Sequence, residues 1–267
     1  MSDEPLLVEI RDGVAWLTMN RPEVLNGLNQ ALTLALWNAF EEIEINKDVR
    51  AVVLTGAGRA FNSGADLTLL KRLSESDKRA GDAVADIMEA EFNPAMRALA
   101  DISKPVIAAV NGPAAGGGAS LALSCDIVVA ARSAYFQLTF GPNLGIVPDI
   151  GGSWVFPRHG GKGVAMGMSL LGDRVSAEDA VKAGLIWECV DDETLLDRAG
   201  ELAARFAAGP TLAYGMIKQA LRESETARLD AQLRTERELQ GAAGRTADFA
   251  EGVSAFMNKR APKFTGH

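Results

Sequence analysis

Apolar residues recur along the chain with two different periods, and the pattern predicts a mixed α/β protein. Residues that alternate on either side of Asp12-Gly13 predict a β-hairpin near the start of the chain. Between residues 30 and 46 the apolar positions follow a helical period and predict an amphipathic helix. Short, β-branched apolar runs predict buried strands at 51–55, 105–110, 127–131 and 186–190.

The last part of the chain is helical in character. Apolar positions at helical spacing continue from Asp192 onward, with breaks at Gly209-Pro210, around 223–226 and at Gly244. Segment 226–240 carries few apolar residues among many charges, which indicates a helix packing on another subunit or across the main domain. We therefore expect a core domain over residues 1–200 and a C-terminal helical region over residues 201–267.

Three successive glycines, Gly116 to Gly118, stand at a predicted helix start between two buried strands. Each glycine costs a helix roughly 1 kcal/mol relative to alanine, so another interaction must compensate. Glycine lets a ligand approach the backbone closely, and the first N–H groups of a helix are free to donate to an oxyanion. Tight packing of the helix on a strand, without any ligand, explains the glycines equally well.

The loop from Gly56 to Asp66 follows a predicted buried strand. Gly56 and Gly58 suggest a dinucleotide-binding turn, but the position of the third glycine is Phe61, which weakens that interpretation. Asp66 can cap a helix that opens at Leu67. The N–H of the preceding Ala65 would then lie in an irregular turn with no obligatory partner.

A second loop, residues 140–152, holds four glycines, two prolines and a single acid, Asp149. One interpretation is structural, because an aspartate here can cap a helix that begins at Ile150. The other interpretation of Asp149 is catalytic, and it depends on the family resemblance described below.

Composition excludes several classes of protein. The 267 residues are 48% hydrophobic and carry a net charge of −8, which argues against a nucleic-acid-binding surface. The acidic first residues do not form a signal peptide, and Asn111, Pro113 and Asp126 break the apolar stretch 105–131, so we expect no membrane segment. The two cysteines, Cys125 and Cys189, and the two histidines have no metal-ligand spacing. We expect a cytoplasmic protein without a metal site.

The two glycine-bearing loops together resemble the crotonase (enoyl-CoA hydratase/isomerase) superfamily. The resemblance rests on the segments 61–67, 107–112, 116–118 and 123–127. It extends from Asn20-Arg-Pro22 to Lys259-Arg260, with all of these segments in the family's order.

The resemblance implies a crotonase-type α/β fold, a spiral of β-β-α turns with a C-terminal helical region. It also implies a homotrimer or a dimer of trimers, whose substrate is an acyl-CoA thioester. No cofactor is implied beyond the coenzyme A that is part of the substrate. In such proteins two backbone N–H groups hold the thioester oxygen, and here they fall at Ala65 and Gly117.

The resemblance further implies where the substrate is bound. Val24 and Leu25 match positions that contact the coenzyme A moiety, and Phe256 and Lys259 match a region that reaches the coenzyme A of a neighbouring subunit. The full set of implied substrate-binding residues is Val24, Leu25, Ala65, Asp66, Leu67, Gly117, Phe256 and Lys259.

Departures from the family pattern indicate the chemistry. Hydratases of this family carry two glutamates, and the matching positions here are Ser120 and Gly141. Adding water to a double bond needs groups that activate water and deliver a proton, which neither residue does in the way a glutamate would. Asp149 instead resembles the acid of the isomerase members, where one carboxylate moves a proton along the acyl chain.

Segment 144–154 and the tail resemble, more narrowly, family isomerases that open a ring epoxide to an oxepin and also shift enoyl double bonds. We therefore expect an acyl-CoA isomerase in which Ala65 and Gly117 form the oxyanion hole and Asp149 is the acid/base. The alternatives are an enoyl-CoA hydratase and a catalytically silent subunit that binds CoA esters. The sequence leaves a role for Ser120 open.

Overall fold

The computed structural model describes residues 4–267, with the side chains of Leu67, Leu70 and Ser74 outside the described set. The strands are β1 (Leu6–Arg11), β2 (Val14–Met19), β3 (Ala51–Gly56), β4 (Val106–Val110), β5 (Ala114–Ala115), β6 (Ile127–Ala131), β7 (Tyr135–Gln137), β8 (Val175–Ser176) and β9 (Glu188–Val190). The helices are α1 (Gln30–Ile45), α2 (Leu67–Ser74), α3 (Ala80–Ile87), α4 (Asn93–Asp101), α5 (Gly117–Leu123), α6 (Phe140–Leu144), α7 (Gly152–His159), α8 (Gly161–Leu171), α9 (Ala177–Lys182), α10 (Leu195–Ala207), α11 (Thr211–Ser224), α12 (Leu229–Ala243) and α13 (Ala247–Met257).

Two sheets organise the core, and the expected α/β class is confirmed. The larger sheet has the order β1-β2-β3-β4-β6-β9, in which only the β1–β2 hairpin is antiparallel. The smaller sheet has the order β5-β7-β8. Strands β3 and β4 are buried along their whole length, as expected for parallel strands covered on both faces.

The chain passes between the two sheets in a repeated order of elements. After β2 and β3 the chain makes single-residue bridges at the level of the smaller sheet, Leu28 with Ala65 and Asn62 with Ala114, before it enters α1 and α2. After β4 it passes through β5 before α5. Each repeat therefore contributes a strand to the large sheet, a short extended piece beside it and then a helix. This is the β-β-α repeat expected from the sequence, and it brings successive helix starts next to one another.

Most of the predicted elements are confirmed, but the loop after β7 is more ordered than predicted. Asp12 and Gly13 both have positive φ, 52° and 76°, as a tight hairpin turn with the twist of the strands requires. Residues 140–152 contain the short helix α6, which the sequence analysis treated as loop. The glycines and prolines of that segment hide the helical signal.

The C-terminal helices follow α10, which packs on the large sheet. Helix α10 packs on β3, β4 and β6, whereas α11 to α13 follow it toward the end of the chain. The buried carboxylate of Asp248 accepts hydrogen bonds from the N–H groups of Thr265 and Gly266, at 2.7 and 2.8 Å. Over the described part of the chain, no helix combines the length and the hydropathy needed to cross a membrane.

Gly118 sits where α5 approaches the loop after β3, and a Cβ at this position would overlap the backbone oxygen of Asn62. Gly163, inside α8, has open space where its Cβ would be. We expect Gly118→Ala to lower the free energy of unfolding by about 1–3 kcal/mol, because the helix must move away from the loop. Gly163→Ala is the matched control and should raise it by roughly 0.5–1 kcal/mol. Denaturant unfolding measures both, and equal stability of the two variants would contradict the close approach.

Candidate active site

The start of α5 is held by backbone contacts on both sides. Gly116 has φ 51° and ψ −127°, a conformation that side-chain-bearing residues rarely adopt, and its N–H donates to the backbone oxygen of Gln137 at 2.8 Å. Gly118 lies against Asn62 on the other side. Gly118 is thus explained by close packing, one of the two interpretations that the sequence allows, whereas Gly116 is explained by its positive φ.

Within the described residues, Gly117 has an unpaired backbone N–H, and so does Gly118 after it. Gly117 is the first residue of α5, and no acceptor for its N–H is found among the residues that the structure describes. A Cβ on Gly64 would lie 3.2 Å from this nitrogen. The unpaired nitrogen therefore lies beside the turn that contains Gly64.

Ala65, in that turn, supplies a second unpaired donor. The neighbouring backbone groups bond to Leu28, with Leu28 N–H to Gly64 O at 2.7 Å and Asp66 N–H to Leu28 O at 2.8 Å. In a parallel bridge the N–H between two such bonds points away from the partner strand, here away from Leu28. Within the described residues the Ala65 N–H has no acceptor. The two predicted oxyanion donors thus lie in adjacent loops that touch through Gly64, and their convergence on one oxygen stays a prediction.

Two buried asparagines fix the turn, and the sequence analysis did not single out either of them. Asn62 donates from its side-chain amide to Asn26 O at 2.6 Å and accepts the Gly64 N–H at 2.8 Å. Asn26 in turn donates to Ala60 O at 2.8 Å. Both side chains are fully buried, which the sequence around them does not reveal. Their hydrogen bonds hold the Gly64–Ala65 turn in one conformation.

Asp66 has the capping role predicted for it. Its Oδ1 accepts the Thr68 N–H at 2.8 Å at the start of α2, and its Oδ2 lies 2.6 Å from Nη2 of Arg21. Burial alone would raise the pKa of Asp66, but the hydrogen bond from Thr68 and the charge of Arg21 hold that pKa below its ordinary value. The carboxylate therefore stays ionised and is already occupied by structural partners.

Asp149 is not a helix cap, so that interpretation of the sequence is wrong. Helix α7 begins at Gly152, its N-cap residue is Gly151, and no side chain caps it. Asp149 instead opens a tight turn closed by a hydrogen bond from Gly152 N–H to its backbone oxygen, at 2.8 Å. Both central residues have positive φ, 52° at Ile150 and 76° at Gly151.

The turn packs directly on Gly117. A left-handed conformation costs a β-branched residue such as Ile150 about 1–3 kcal/mol and persists only where the surroundings impose it. The Ile150 side chain is buried, and its Cδ1 occupies the space that a Cβ on Gly117 would need. Asp149 is thereby placed one residue from the contact between the turn and Gly117.

The carboxyl group of Asp149 is poised to exchange a proton near neutral pH. Its Oδ1 is buried and has no hydrogen-bond partner among the described residues. Burial raises the pKa of Asp149 to about 6, although a hydrogen bond from its own backbone N–H acts in the opposite direction. A group with this pKa can act as a base and as an acid within the same reaction.

The predicted coenzyme A contacts fall into two groups. Leu25 lies beside the site, since its backbone oxygen accepts the Ser63 N–H at 3.1 Å, and Val24 next to it is exposed. The side chain of Leu67 lies outside the described residues. Phe256 and Lys259 are exposed at the end of α13, and among the described contacts no hydrogen bond or ion pair joins them to the two loops. Their contact with coenzyme A stays a prediction.

A cavity of about 690 Å³ lies elsewhere, between α1, α4, α11 and residues 265–267, and none of the predicted site residues lines it. Two of its lysines are already paired. Lys104 Nζ donates to the backbone oxygens of Glu44 and Asn46 at 2.9 Å each, and Lys218 Nζ lies 2.6 Å from Asp126 Oδ2. In the part of the chain described, no three His, Cys, Asp or Glu side chains are grouped so as to hold a metal ion.

Comparison with known proteins identifies the family of the chain. The enoyl-CoA hydratase/isomerase family matches residues 9–267. The chain is 49% identical to 1,2-epoxyphenylacetyl-CoA isomerase of Escherichia coli (strain K12), over 98% of this chain and 99% of that protein. It is 39% identical to 2,3-dehydroadipyl-CoA hydratase of the same organism, over 98% of each chain.

The fold has close structural neighbours. The crystal structure of an enoyl-CoA hydratase from Bacillus anthracis superposes with a TM-score of 0.89 at 33% identity, over 98% of this chain and 100% of that one. The crotonase-type fold expected from the sequence is thereby confirmed. The chain belongs to the enoyl-CoA hydratase/isomerase family.

Proposed function

We propose that this enzyme is an acyl-CoA isomerase. Its reaction is either the conversion of 1,2-epoxyphenylacetyl-CoA to its oxepin isomer or the shift of a 3-enoyl-CoA to a 2-enoyl-CoA. The observation that carries the proposal is the environment of Asp149, a half-buried carboxyl group with a buried, unpaired Oδ1 and a pKa raised to about 6, next in the chain to Ile150, whose side chain packs on Gly117.

In the double-bond shift, the thioester oxygen accepts hydrogen bonds from the N–H groups of Ala65 and Gly117. Asp149 removes a proton from C2, and the electron pair of that C–H bond moves onto the thioester oxygen as an enolate. The two donors stabilise this charge, which is where such donors act most strongly. Asp149 then returns the proton to C4, so the double bond moves from C3–C4 to C2–C3 and every atom is retained.

The set of acids favours isomerisation over hydration. One carboxylate can take and return a single proton, but hydration needs one group to activate water and another to protonate carbon. Ser120 and Gly141 stand where the hydratases of the family carry glutamates, and Asp66 is held ionised by Arg21 and Thr68. The name of the Escherichia coli relative at 49% identity supports the epoxide reaction, whereas the relative at 39% is a hydratase.

The residues predicted to contact coenzyme A from the C-terminal region support an oligomer. Phe256 and Lys259 are exposed and share no described hydrogen bond or ion pair with the two loops, which fits the implied role in binding the coenzyme A of a neighbouring subunit. We propose a homotrimer or a dimer of trimers on this ground. The cytoplasmic location and the absence of a cofactor other than the substrate's own coenzyme A stay predictions.

We expect Asp149→Asn to lower turnover by at least about 100-fold, the usual scale for a general acid/base, while acyl-CoA binding is preserved. The test measures initial rates on 1,2-epoxyphenylacetyl-CoA, on a 3-enoyl-CoA and on crotonyl-CoA. Wild type should isomerise one or both of the first two and should not hydrate the third. Wild-type hydration of crotonyl-CoA would favour a hydratase. Binding without turnover of any substrate would favour a silent subunit.

The raised pKa of Asp149 predicts a pH dependence of both rate and stability. Because the base must be ionised, kcat/KM should rise with pH and reach half its maximum near pH 6. Since the folded state binds this proton more tightly than the unfolded chain, stability is lost as pH rises from about 4 to about 6.

Asp149→Asn removes that loss, so we expect its thermal midpoint to exceed that of wild type at pH 8 and to approach it at pH 4.5. Asp66→Asn is the control of opposite sign, because the lowered pKa of Asp66 stabilises the fold at pH 8. Thermal melts across this pH range measure both. An Asp149→Asn variant less stable than wild type at pH 8 would contradict the buried, unpaired carboxylate.

Gly117→Pro and Gly117→Ala together isolate the backbone donor. Both variants place a Cβ against Ile150, but only proline removes the N–H. We expect the proline variant to turn over at least about 100-fold more slowly than the alanine variant, the cost of one oxyanion-hole donor. Circular dichroism checks that both fold, and equal rates in two folded variants would remove Gly117 from the oxyanion hole.

A further inference from the structure

We propose that the hydroxyl of Ser120 hydrogen-bonds to an oxygen carried by the acyl group of the substrate, and so selects oxygen-bearing acyl chains over hydrocarbon ones. This inference rests on the proposed function, and it chooses between the two substrates named there. It assigns Ser120 a role in binding the acyl group, not in moving the proton.

The state of the Ser120 side chain is the first observation. The residue is fully buried, and its Oγ has no hydrogen-bond partner among the described residues. Serine hydroxyls within helices commonly satisfy themselves on a backbone oxygen one turn earlier. Ser124 does this in the same segment, donating to Ser120 O at 2.8 Å, but Ser120 does not. A buried hydroxyl left unpaired destabilises a fold, which is typical of a group kept for a ligand.

The position of Ser120 is the second observation. It lies three residues after Gly117 on α5, and residues at this spacing share a helix face. A Cβ on Gly152 would lie 2.6 Å from Ser120 Oγ, so the hydroxyl faces the turn that Asp149 opens. Asp149 Oδ1 is buried and unpaired as well. Two segments that pack against each other therefore each present an unpaired polar atom beside the predicted oxyanion hole.

The chemistry of the ligand follows from these donors and acceptors. The thioester oxygen is taken by the N–H groups of Ala65 and Gly117, so Ser120 must find its partner further along the acyl group. A hydrocarbon chain offers no acceptor and would leave the hydroxyl unpaired in the complex. A ring epoxide, or any oxygen at that place, can accept its O–H. Sites built to hydrogen-bond a substrate oxygen discriminate strongly against analogues that lack it.

The test compares two non-reacting ligands that differ by one oxygen, phenylacetyl-CoA and 2-hydroxyphenylacetyl-CoA. Isothermal titration calorimetry gives both dissociation constants for wild type, for Ser120→Ala and for Ser124→Ala. We expect wild type to prefer the hydroxylated ligand by about tenfold, the scale of one neutral hydrogen bond. Ser120→Ala should lose this preference. Ser124→Ala, in which the hydroxyl removed was already paired to the helix, should keep it.

The thermal midpoint of Ser120→Ala distinguishes a ligand-binding role from a structural one, because the two roles predict shifts of opposite sign. Removing an unpaired buried hydroxyl should raise the thermal midpoint of the unliganded Ser120→Ala protein by about 2 °C, whereas loss of a structural hydrogen bond would lower it. A lowered midpoint, or an unchanged ligand preference in Ser120→Ala, would overturn the inference.

Failure of the proposed function is seen separately. It would appear as wild-type protein that binds both ligands but isomerises neither 1,2-epoxyphenylacetyl-CoA nor a 3-enoyl-CoA. The ligand preference is measured without turnover, so it still decides whether Ser120 contacts an acyl-group oxygen in that case.

Discussion

The close approach of backbone to backbone at the start of α5 is the constraint on which the site depends. Gly118 has no room for a side chain against Asn62, and Gly116 adopts a conformation reserved for glycine while it bonds to Gln137. Between these neighbours, the Gly117 N–H has no acceptor in the described part of the chain, and Ile150 covers its α-carbon. The same packing therefore orients the donor and supports the turn that carries Asp149.

The protein separates the roles of two aspartates by their surroundings. Asp66 is buried but meets Arg21 and the Thr68 N–H, which hold its pKa low and keep it ionised as a structural group. Asp149 is half-buried, with Oδ1 buried and no cation paired to it among the described contacts, and its pKa rises to about 6. Two carboxylates whose pKa values are driven apart by their environments typically divide structural and proton-transfer work between them. Here only Asp149 has the proton affinity that a reversible transfer near neutral pH requires.

Local patterns in the sequence predict most of the fold, because they report local physics. The buried strands, the hairpin at Asp12-Gly13, the cap at Asp66 and the breaks between the C-terminal helices all follow from short-range preferences. The isolated bridges at Leu28 and Asn62, beside the smaller sheet, involve single residues, so they produce no alternating hydrophobic pattern in the sequence. The helix α6 is hidden by the glycines and prolines around it.

The site is predicted less completely, because its decisive features are tertiary. Close packing and an oxyanion site are alternative reasons in the sequence for three glycines. The structure shows close packing at Gly117 and Gly118, while the oxyanion site at Gly117 stays a prediction. The sequence also offered a cap as the reason for Asp149, which fails because α7 starts later, at Gly152. Only the folded chain shows that Ser120 and Asn62 are fully buried, since nothing in the residues beside them distinguishes them from surface polar groups.

The exposure of the Ala65 side chain has a consequence for how such an enzyme diverges. Its methyl group points to solvent, while the N–H that we propose as a donor belongs to the main chain and is oriented by Leu28 and Gly64. Substitutions at position 65 can therefore accumulate in a lineage without erasing the donor. The acid is a side chain and can be lost from one loop and gained on another. Descendants of one ancestor can thus change the reaction they catalyse by relocating a carboxylate while they inherit the same anion-binding backbone.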